Sequence, residues 1–225
     1  MQTYKFFCVG FAFMQQHQLI VPRTARYCTL GEISDATQEI WFVCHGYGQL
    51  APYFIKKFEA IASDTCVVVA PEALSRFYLE GFSGRVGATW MTREERVSEI
   101  DDYVRYLNLL YDTVLANKDL NSIKINVLGF SQGTATVCRW IMNQHIRYDR
   151  LVLWAGYFAN GIQDVIDPAL LADKEVVLVY GQNDEFLKQI DVAQYEAHIR
   201  QAIPHARVLT FAGGHTIDTE ALQQI

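Results

Sequence analysis

The sequence lacks the features of several protein classes. No cluster of five or more basic residues occurs and the net charge is −6, which argues against nucleic acid as the main partner. The five cysteines, Cys8, Cys28, Cys44, Cys66 and Cys138, form no Cys-x-x-Cys pair and no Cys/His spacing typical of a metal site. We therefore expect no bound metal. Most of the cysteines lie in apolar runs, so we expect reduced, buried thiols and a cytoplasmic protein.

The sequence also has no internal repeat, no low-complexity tract and no linker. Its 225 residues are 51% hydrophobic and 20% charged, a composition typical of a globular protein with a sizeable core. We predict a single domain over residues 1–225.

The N-terminus allows three interpretations. Lys5 is followed by an apolar run over residues 6–14, which is too short to span a bilayer. It resembles the apolar part of a signal peptide, but no small-x-small cleavage site follows. Residues 1–13 are instead interpreted as a disordered extension or as a wrongly assigned start, with Met14 as the true first residue. If residues 1–14 are a signal, the protein is secreted or periplasmic. We expect no stable membrane insertion.

Apolar runs alternate between strand-like and helix-like patterns along the chain. The strand-like runs cover residues 18–21, 27–33, 39–44, 66–70, 123–128, 151–155, 176–180 and 208–211. The helix-like runs cover residues 51–62, 93–116, 132–144, 188–202 and 217–224. This alternation of short apolar strands with helices predicts a mostly parallel central sheet with helices on both faces.

The most informative motif is Gly129-Phe130-Ser131-Gln132-Gly133, which lies between a strand-like and a helix-like run. A serine at a sharp strand-to-helix turn has an exposed hydroxyl, and the flanking glycines relieve steric overlap. The start of the following helix presents backbone N–H groups and the positive end of its dipole at the same place. Ser131 is therefore the predicted nucleophile.

A nucleophilic serine needs a base, and the base needs a carboxylate to orient it. Asp184 follows the apolar run over residues 176–180, and His215 follows Gly213-Gly214 after the run over residues 208–211. The carboxyl ends of parallel strands share one edge of the sheet, so these loops can converge on Ser131. We predict His215 as base and Asp184 as its partner; the adjacent Glu185 is the competing acid.

A second glycine-rich loop, His45-Gly46-Tyr47-Gly48, follows the run over residues 39–44. A loop of this kind after an early strand normally gives one of the two backbone donors of an oxyanion hole. We predict that these donors are the backbone N–H groups of Tyr47 and Gln132. His45 is expected to support the loop rather than to transfer protons.

The long segment between Pro71 and Thr92 does not fit the alternation of strands and helices. It is rich in aromatic residues and glycines, and such a segment beside an active site is typical of a substrate-binding element. Phe77, Tyr78, Trp90 and Met91 are the predicted walls of an apolar substrate pocket. The alternative is a loop that packs onto the surface through its own aromatic side chains.

These motifs resemble those of the α/β-hydrolases and, more narrowly, of the phospholipase/carboxylesterase family that includes the acyl-protein thioesterases. The resemblance rests on residues 45–48, 129–133, 181–184 and 214–215 and covers the chain from Glu39 onward. It implies an α/β-hydrolase fold without a large cap domain, and Ser131, Asp184 and His215 as catalytic triad. Gln132 directly after the serine is a specific feature of the family. The family commonly has leucine where this chain has Tyr47.

The function expected from these residues is cleavage of carboxylic esters of small molecules through an acyl-enzyme intermediate, without a cofactor. Three alternatives stay open at this point. The first is a thioesterase or lysophospholipase acting on acyl substrates. The second is a non-catalytic binder of small molecules with the same fold. The third is a peptidase, which the lack of a propeller or cap domain disfavours.

Overall fold

A computed structural model of the chain describes residues 14–225. The expectations for residues 1–13, namely a disordered extension, a signal-like segment or a wrongly assigned start, lie outside the described residues. So does the prediction for Cys8.

The described residues form nine strands and five α-helices. The strands are β1 Tyr27–Leu30, β2 Glu39–Cys44, β3 Cys66–Pro71, β4 Ser75–Tyr78, β5 Val86–Thr89, β6 Lys124–Phe130, β7 Arg150–Trp154, β8 Glu175–Gly181 and β9 Arg207–Phe211. The helices are α1 Ala51–Phe54, α2 Arg96–Leu115, α3 Gln132–Met142, α4 Val192–Ala202 and α5 Thr219–Leu222. None of these helices combines the length and the hydrophobicity needed to cross a bilayer.

Seven strands form one sheet in the order β1-β3-β2-β6-β7-β8-β9. Only the edge strand β1 is antiparallel to its neighbour, and all other neighbouring strands run parallel. Strands β3 and β7 are buried at every residue, because both faces of the sheet are covered. The prediction of a mostly parallel sheet is confirmed.

Helices cover both faces of this sheet. Side chains alternate between the two faces along each strand. In β2, Phe42 belongs to the apolar cluster that contains residues of α2, α3 and α4, whereas Trp41 and Val43 belong to the cluster that contains residues of α1 and α5. Each face therefore has its own apolar core, as expected for a parallel sheet between two helical layers.

The carboxyl edge of the sheet brings together the loops that the sequence analysis singled out. The loop containing His45 follows β2, and Ser131 follows β6, which lies next to β2. Asp184 and His215 follow β8 and β9, which are also neighbours. Loops at this edge commonly form the active sites of open α/β sheets.

Two predicted elements differ from the structure. Residues 18–21 form no strand and their side chains are exposed, because no neighbouring strand pairs with them. The segment between Pro71 and Thr92 is not an irregular loop, since β4 and β5 pair within it as an antiparallel hairpin. Residues 14–225 contain this hairpin and connecting loops but no separate cap domain.

Candidate active site

Ser131 connects the end of β6 to the start of α3 in a strained backbone conformation. Its φ of 53° and ψ of −117° lie in a region that residues other than glycine rarely adopt. Hydrogen bonds hold this geometry, because the Ser131 N–H donates to the Trp154 carbonyl at 2.8 Å and the Thr134 hydroxyl donates to the Ser131 carbonyl at 2.7 Å. The side chain is half-buried. The turn therefore presents the hydroxyl at the carboxyl edge of the sheet.

The glycines on either side of Ser131 are required by close backbone packing. A Cβ on Gly133 would overlap the carbonyl oxygen of Cys44 in β2. A Cβ on Gly129 would overlap the backbone of Gly133 itself. Glycine at both positions lets α3 start directly against β2, which brings the serine next to the loop after that strand.

Asp184 and His215 form a hydrogen-bonded pair. His215 Nδ1 lies 2.7 Å from Asp184 Oδ2, and the Asp184 carboxylate is fully buried. The second carboxylate oxygen accepts the Phe186 N–H at 2.9 Å. Since the carboxylate accepts the bond, Nδ1 of the neutral ring carries the proton and Nε2 is left as an acceptor. Glu185, the alternative acid, is exposed.

The loops that carry this pair are joined through their backbones. The Asn183 N–H donates to the Gly213 carbonyl at 2.8 Å, and the Gln182 N–H donates to the Phe211 carbonyl at 2.9 Å. A Cβ on Gly181 would overlap the carbonyl oxygens of Gly213 and Gly214. The loop that carries Asp184, called the acid loop, is therefore in direct backbone contact with the loop that carries His215, called the histidine loop.

The imidazole of His215 packs against two phenylalanine rings. Its centroid lies 4.9 Å from that of Phe130 and 4.6 Å from that of Phe186. Phe130 directly precedes Ser131, so this packing joins the imidazole to the residue next to the serine in the chain. No direct hydrogen bond joins Ser131 Oγ to His215 among the described contacts, and such bonds commonly tighten only when substrate is bound.

The loop after β2 lies directly against the serine. A Cβ built on Gly46 would lie 3.1 Å from Ser131 Cβ. Among the described residues no acceptor is bonded to the Tyr47 N–H. Gln132 is the first residue of α3, so its N–H has no partner within the helix. Neither of the two predicted oxyanion donors is therefore bonded to another group among the described residues.

His45 is a buried structural histidine. The Ala73 N–H donates to Nε2 at 3.1 Å, so Nδ1 must carry the proton, and Nδ1 lies 2.8 Å from the Gly46 carbonyl that accepts it. Burial lowers the pKa of this imidazole below its ordinary value. The neutral ring fixes the loop, in agreement with the prediction that His45 supports it.

The four predicted pocket residues have different surroundings. Phe77 is half-buried with its ring 5.1 Å from that of Tyr47, and Tyr78 is 50% exposed. Met91 is half-buried, with Sδ 3.6 Å from Arg139 Nη1. Trp90 is only 2% exposed and its Nε1 donates to the His45 carbonyl at 2.8 Å. The buried indole of Trp90 therefore supports the loop after β2 and does not line an open surface, contrary to its predicted place in a substrate pocket.

Two features of the site were missed by the sequence analysis. Phe186 is 59% exposed and lies against His215; its position two residues after Asp184 was the only available signal. The side chain of Gln132 bonds to Thr89 and Met91, the latter at 2.9 Å. No sequence pattern indicated these contacts, which join residues more than 40 positions apart.

Comparisons with known proteins agree with this architecture. The family model described as phospholipase/carboxylesterase matches residues 30–225. No curated protein sequence matches the chain.

Solved structures with the same fold include three hydrolases. Acyl-protein thioesterase 2 of Zea mays has a TM-score of 0.65 and 16% identity, covering 89% of this chain and 96% of its own. Esterase PE8 has a TM-score of 0.61 and 20% identity, covering 89% and 95%. A phospholipase/carboxylesterase of Dyadobacter fermentans has a TM-score of 0.61 and 16% identity, covering 89% and 94%. At these identities the likeness shows the fold, so the expected α/β-hydrolase fold is confirmed.

Proposed function

The chain belongs to the phospholipase/carboxylesterase family of hydrolases, and we propose that it cleaves carboxylic esters with Ser131 as nucleophile. In this proposal His215 is the general base and Asp184 orients it. The backbone N–H groups of Tyr47 and Gln132 form the oxyanion hole. The reaction needs no cofactor and no metal.

The observation that carries the proposal is the buried hydrogen bond between His215 and Asp184. A carboxylate with 0% exposed side chain is costly to bury unless it has partners. Here its two oxygens are taken by the imidazole and by the Phe186 N–H. The arrangement leaves Nε2 of the same ring unpaired, which is the atom a general base needs.

The proposed reaction has two steps. Ser131 Oγ attacks the ester carbonyl while its proton passes to His215 Nε2, and the Tyr47 and Gln132 N–H groups donate to the resulting oxyanion. The proton then passes to the leaving alkoxide as the carbon–oxygen bond breaks. In the second step water attacks the acyl-enzyme while its proton passes to His215 Nε2. The proton then returns to Ser131 Oγ as the carboxylic acid leaves. Each oxyanion donor is expected to lower the barrier by about 3 kcal/mol.

The substrate is proposed to bind beside an aromatic rim. Tyr47, Tyr78 and Phe186 are all at least half exposed, and Phe77 packs against Tyr47. Met91 is the remaining proposed contact from the predicted pocket. These side chains favour an apolar acyl or alcohol group. A small-molecule acyl ester is therefore the proposed substrate.

The cytoplasm stays the proposed compartment. Cys28, Cys44, Cys66 and Cys138 are free thiols, and the last three are buried. Reduced, buried cysteines support a reducing environment.

The decisive test is hydrolysis of p-nitrophenyl acetate and butyrate by Ser131→Ala. We expect kcat to fall by about 10⁴-fold or more, with circular dichroism unchanged. Ser122→Ala is the matched control, because Ser122 is exposed and precedes β6 at the opposite edge of the sheet. Retention of most of the turnover by Ser131→Ala would refute the assignment.

Two further measurements separate the alternatives. A fluorophosphonate labels an activated serine rapidly. A non-catalytic binder would be labelled only very slowly, so the labelling rate distinguishes the two. Acyl esters and thioesters of about two to sixteen carbons, compared by kcat/KM, distinguish an esterase from a thioesterase. The thioesterase alternative is kept because acyl-protein thioesterase 2 shares the fold.

A further inference from the structure

The segment from Ala88 to Met91, which we call the strap, is bonded to the loop that carries Tyr47. The Gly48 N–H donates to the Ala88 carbonyl at 2.8 Å, and the Ala88 N–H donates to the Gln49 carbonyl at 3.1 Å. The indole Nε1 of Trp90 donates to the His45 carbonyl at 2.8 Å. The loop on both sides of Tyr47 is thus fixed by the strap.

The same strap is bonded to the side chain of Gln132. Gln132 Nε2 donates to the Met91 carbonyl at 2.9 Å and to Thr89 Oγ1 at 3.0 Å. Gln132 Oε1 accepts the Trp90 N–H at 3.2 Å. Thr89 is 4% exposed, so the bonds to its hydroxyl are shielded from water. Gln132 is partly buried, and an amide whose donor and acceptor both have partners rigidifies the groups it joins.

These two sets of bonds have a geometric consequence. Tyr47 and Gln132 lie on different elements, the loop after β2 and the first turn of α3. The strap is bonded to both, so it fixes the distance between their backbone N–H groups. An oxyanion hole works only if its donors are already placed where the charge develops.

We propose that the side chain of Gln132 is a positioning residue for the oxyanion hole, acting through the strap on the Tyr47 N–H. The inference rests on the proposed ester hydrolysis and assigns a second role to Gln132, in addition to its own backbone N–H. Since the oxyanion exists only in the transition state, loosening the strap lowers kcat and leaves KM nearly unchanged.

The experiment compares Gln132→Met and Thr89→Val with the unaltered protein. Methionine has the length of glutamine without its hydrogen bonds and keeps the backbone N–H, and valine has the shape of threonine without its hydroxyl. We expect kcat for p-nitrophenyl acetate to fall about tenfold to hundredfold, with KM within about twofold. Gln201→Met, on the exposed face of α4, is the control for the glutamine exchange. Thr89→Ser restores the hydroxyl and should recover most of the loss.

The affinity of a boronic acid reports the hydrogen bonds of the oxyanion hole directly, because its tetrahedral adduct with Ser131 places an oxygen where the oxyanion forms. Its affinity should fall by the same factor as kcat in both variants. The Gln132→Met, Thr89→Val double variant should lose little more than Gln132→Met alone, because both changes break one network.

Amide hydrogen exchange separates positioning from other effects. The Gly48 and Ala88 amides have no bond to Gln132 itself, so their faster exchange in Gln132→Met would report the loosened strap. Unchanged exchange together with unchanged kcat would overturn the inference. A rise in KM at constant kcat would also overturn it, by showing that the side chain binds substrate. Equal turnover by the unaltered protein and Ser131→Ala would instead overturn the proposed function on which it rests.

Discussion

The His215 ring contacts three other side chains. Asp184 binds Nδ1, and the rings of Phe130 and Phe186 both pack against the imidazole. Nε2 is the ring nitrogen that has no partner among the described contacts. The ring is 15% exposed at its side chain, so its orientation is set by packing as well as by the carboxylate. Phe186 is the only exposed member of this set, and its contribution can be tested.

Replacement of Phe186 by alanine removes one side of this packing. An aromatic contact of this kind contributes about 0.5–1.5 kcal/mol. We therefore expect kcat for p-nitrophenyl acetate to fall about threefold to tenfold in Phe186→Ala, while Phe186→Tyr keeps the ring and the rate. Steady-state kinetics of the three proteins provide the measurement. A change confined to KM would show that Phe186 acts on the substrate and not on His215.

At the scale of the element, the mostly parallel sheet was predictable from the sequence, whereas the order of its strands was not predicted. Ser131, Asp184 and His215 each follow an apolar run directly, and parallel strands end at a common edge. The structure places the three residues at that edge because β6, β8 and β9 all run in the same direction. The local sequence pattern was sufficient to predict this position, since the strand immediately before each residue determines where it lies.

Contacts between distant segments were not predictable in this way. The pairing of β4 with β5, and of β5 with the loop at Gly48, joins short glycine-containing stretches without strong periodicity. Burial of Trp90 follows from these contacts and not from its neighbours in sequence. The ends of the helices were also predicted inexactly. The helix-like run was predicted to begin at residue 93, whereas α2 begins at Arg96, and Val97 in its first turn is 72% exposed.

The junction between the acid loop and the histidine loop depends on Gly181. Alanine there would force the Gly213 and Gly214 carbonyls away, at a cost of about 3 kcal/mol. We expect Gly181→Ala to lower both the unfolding free energy and the esterase activity, because His215 would move from Asp184. Gly214→Ala is the matched control for stability, since its Cβ would meet atoms only at 3.7 Å and beyond. Urea unfolding of both variants checks this, and equal stabilities would contradict it.

At the scale of the whole molecule, two buried groups make the fold sensitive to acid. Glu72 accepts hydrogen bonds from Arg26 at 2.7 Å and Arg76 at 2.6 Å, and from the Ala51 N–H at 3.2 Å. Burial alone would raise the pKa of this carboxyl, but the two guanidinium groups hold the pKa below its ordinary value. His45, on the neighbouring loop, has a pKa lowered by burial. Glu72 joins the segment after β3 to β4 and α1, and His45 joins the loop after β2 to Ala73.

The sign of the pH effect is the same for both groups. Above the unfolded pKa of about 6.5 for histidine, His45 is neutral whether the chain is folded or not. Below it only the unfolded chain binds the proton readily, so the unfolding free energy falls as the pH falls. Glu72 adds a second loss below its ordinary pKa of 4.5, where the unfolded carboxyl is protonated first. Stability should therefore be lost in two stages on acidification.

Urea unfolding between pH 8 and pH 3 measures these stages. Each stage should cost up to about 1.4 kcal/mol per pH unit. Glu72→Gln should be less stable by about 2 kcal/mol at pH 7, and its second stage should disappear because the titrating carboxyl is gone. Asp102→Asn is the control, since the Asp102–Arg105 pair is about half exposed and such pairs contribute little. If Glu72→Gln kept the full slope below pH 4.5, the acid sensitivity would belong to other carboxyl groups, and the buried cluster would not be what limits the fold at low pH.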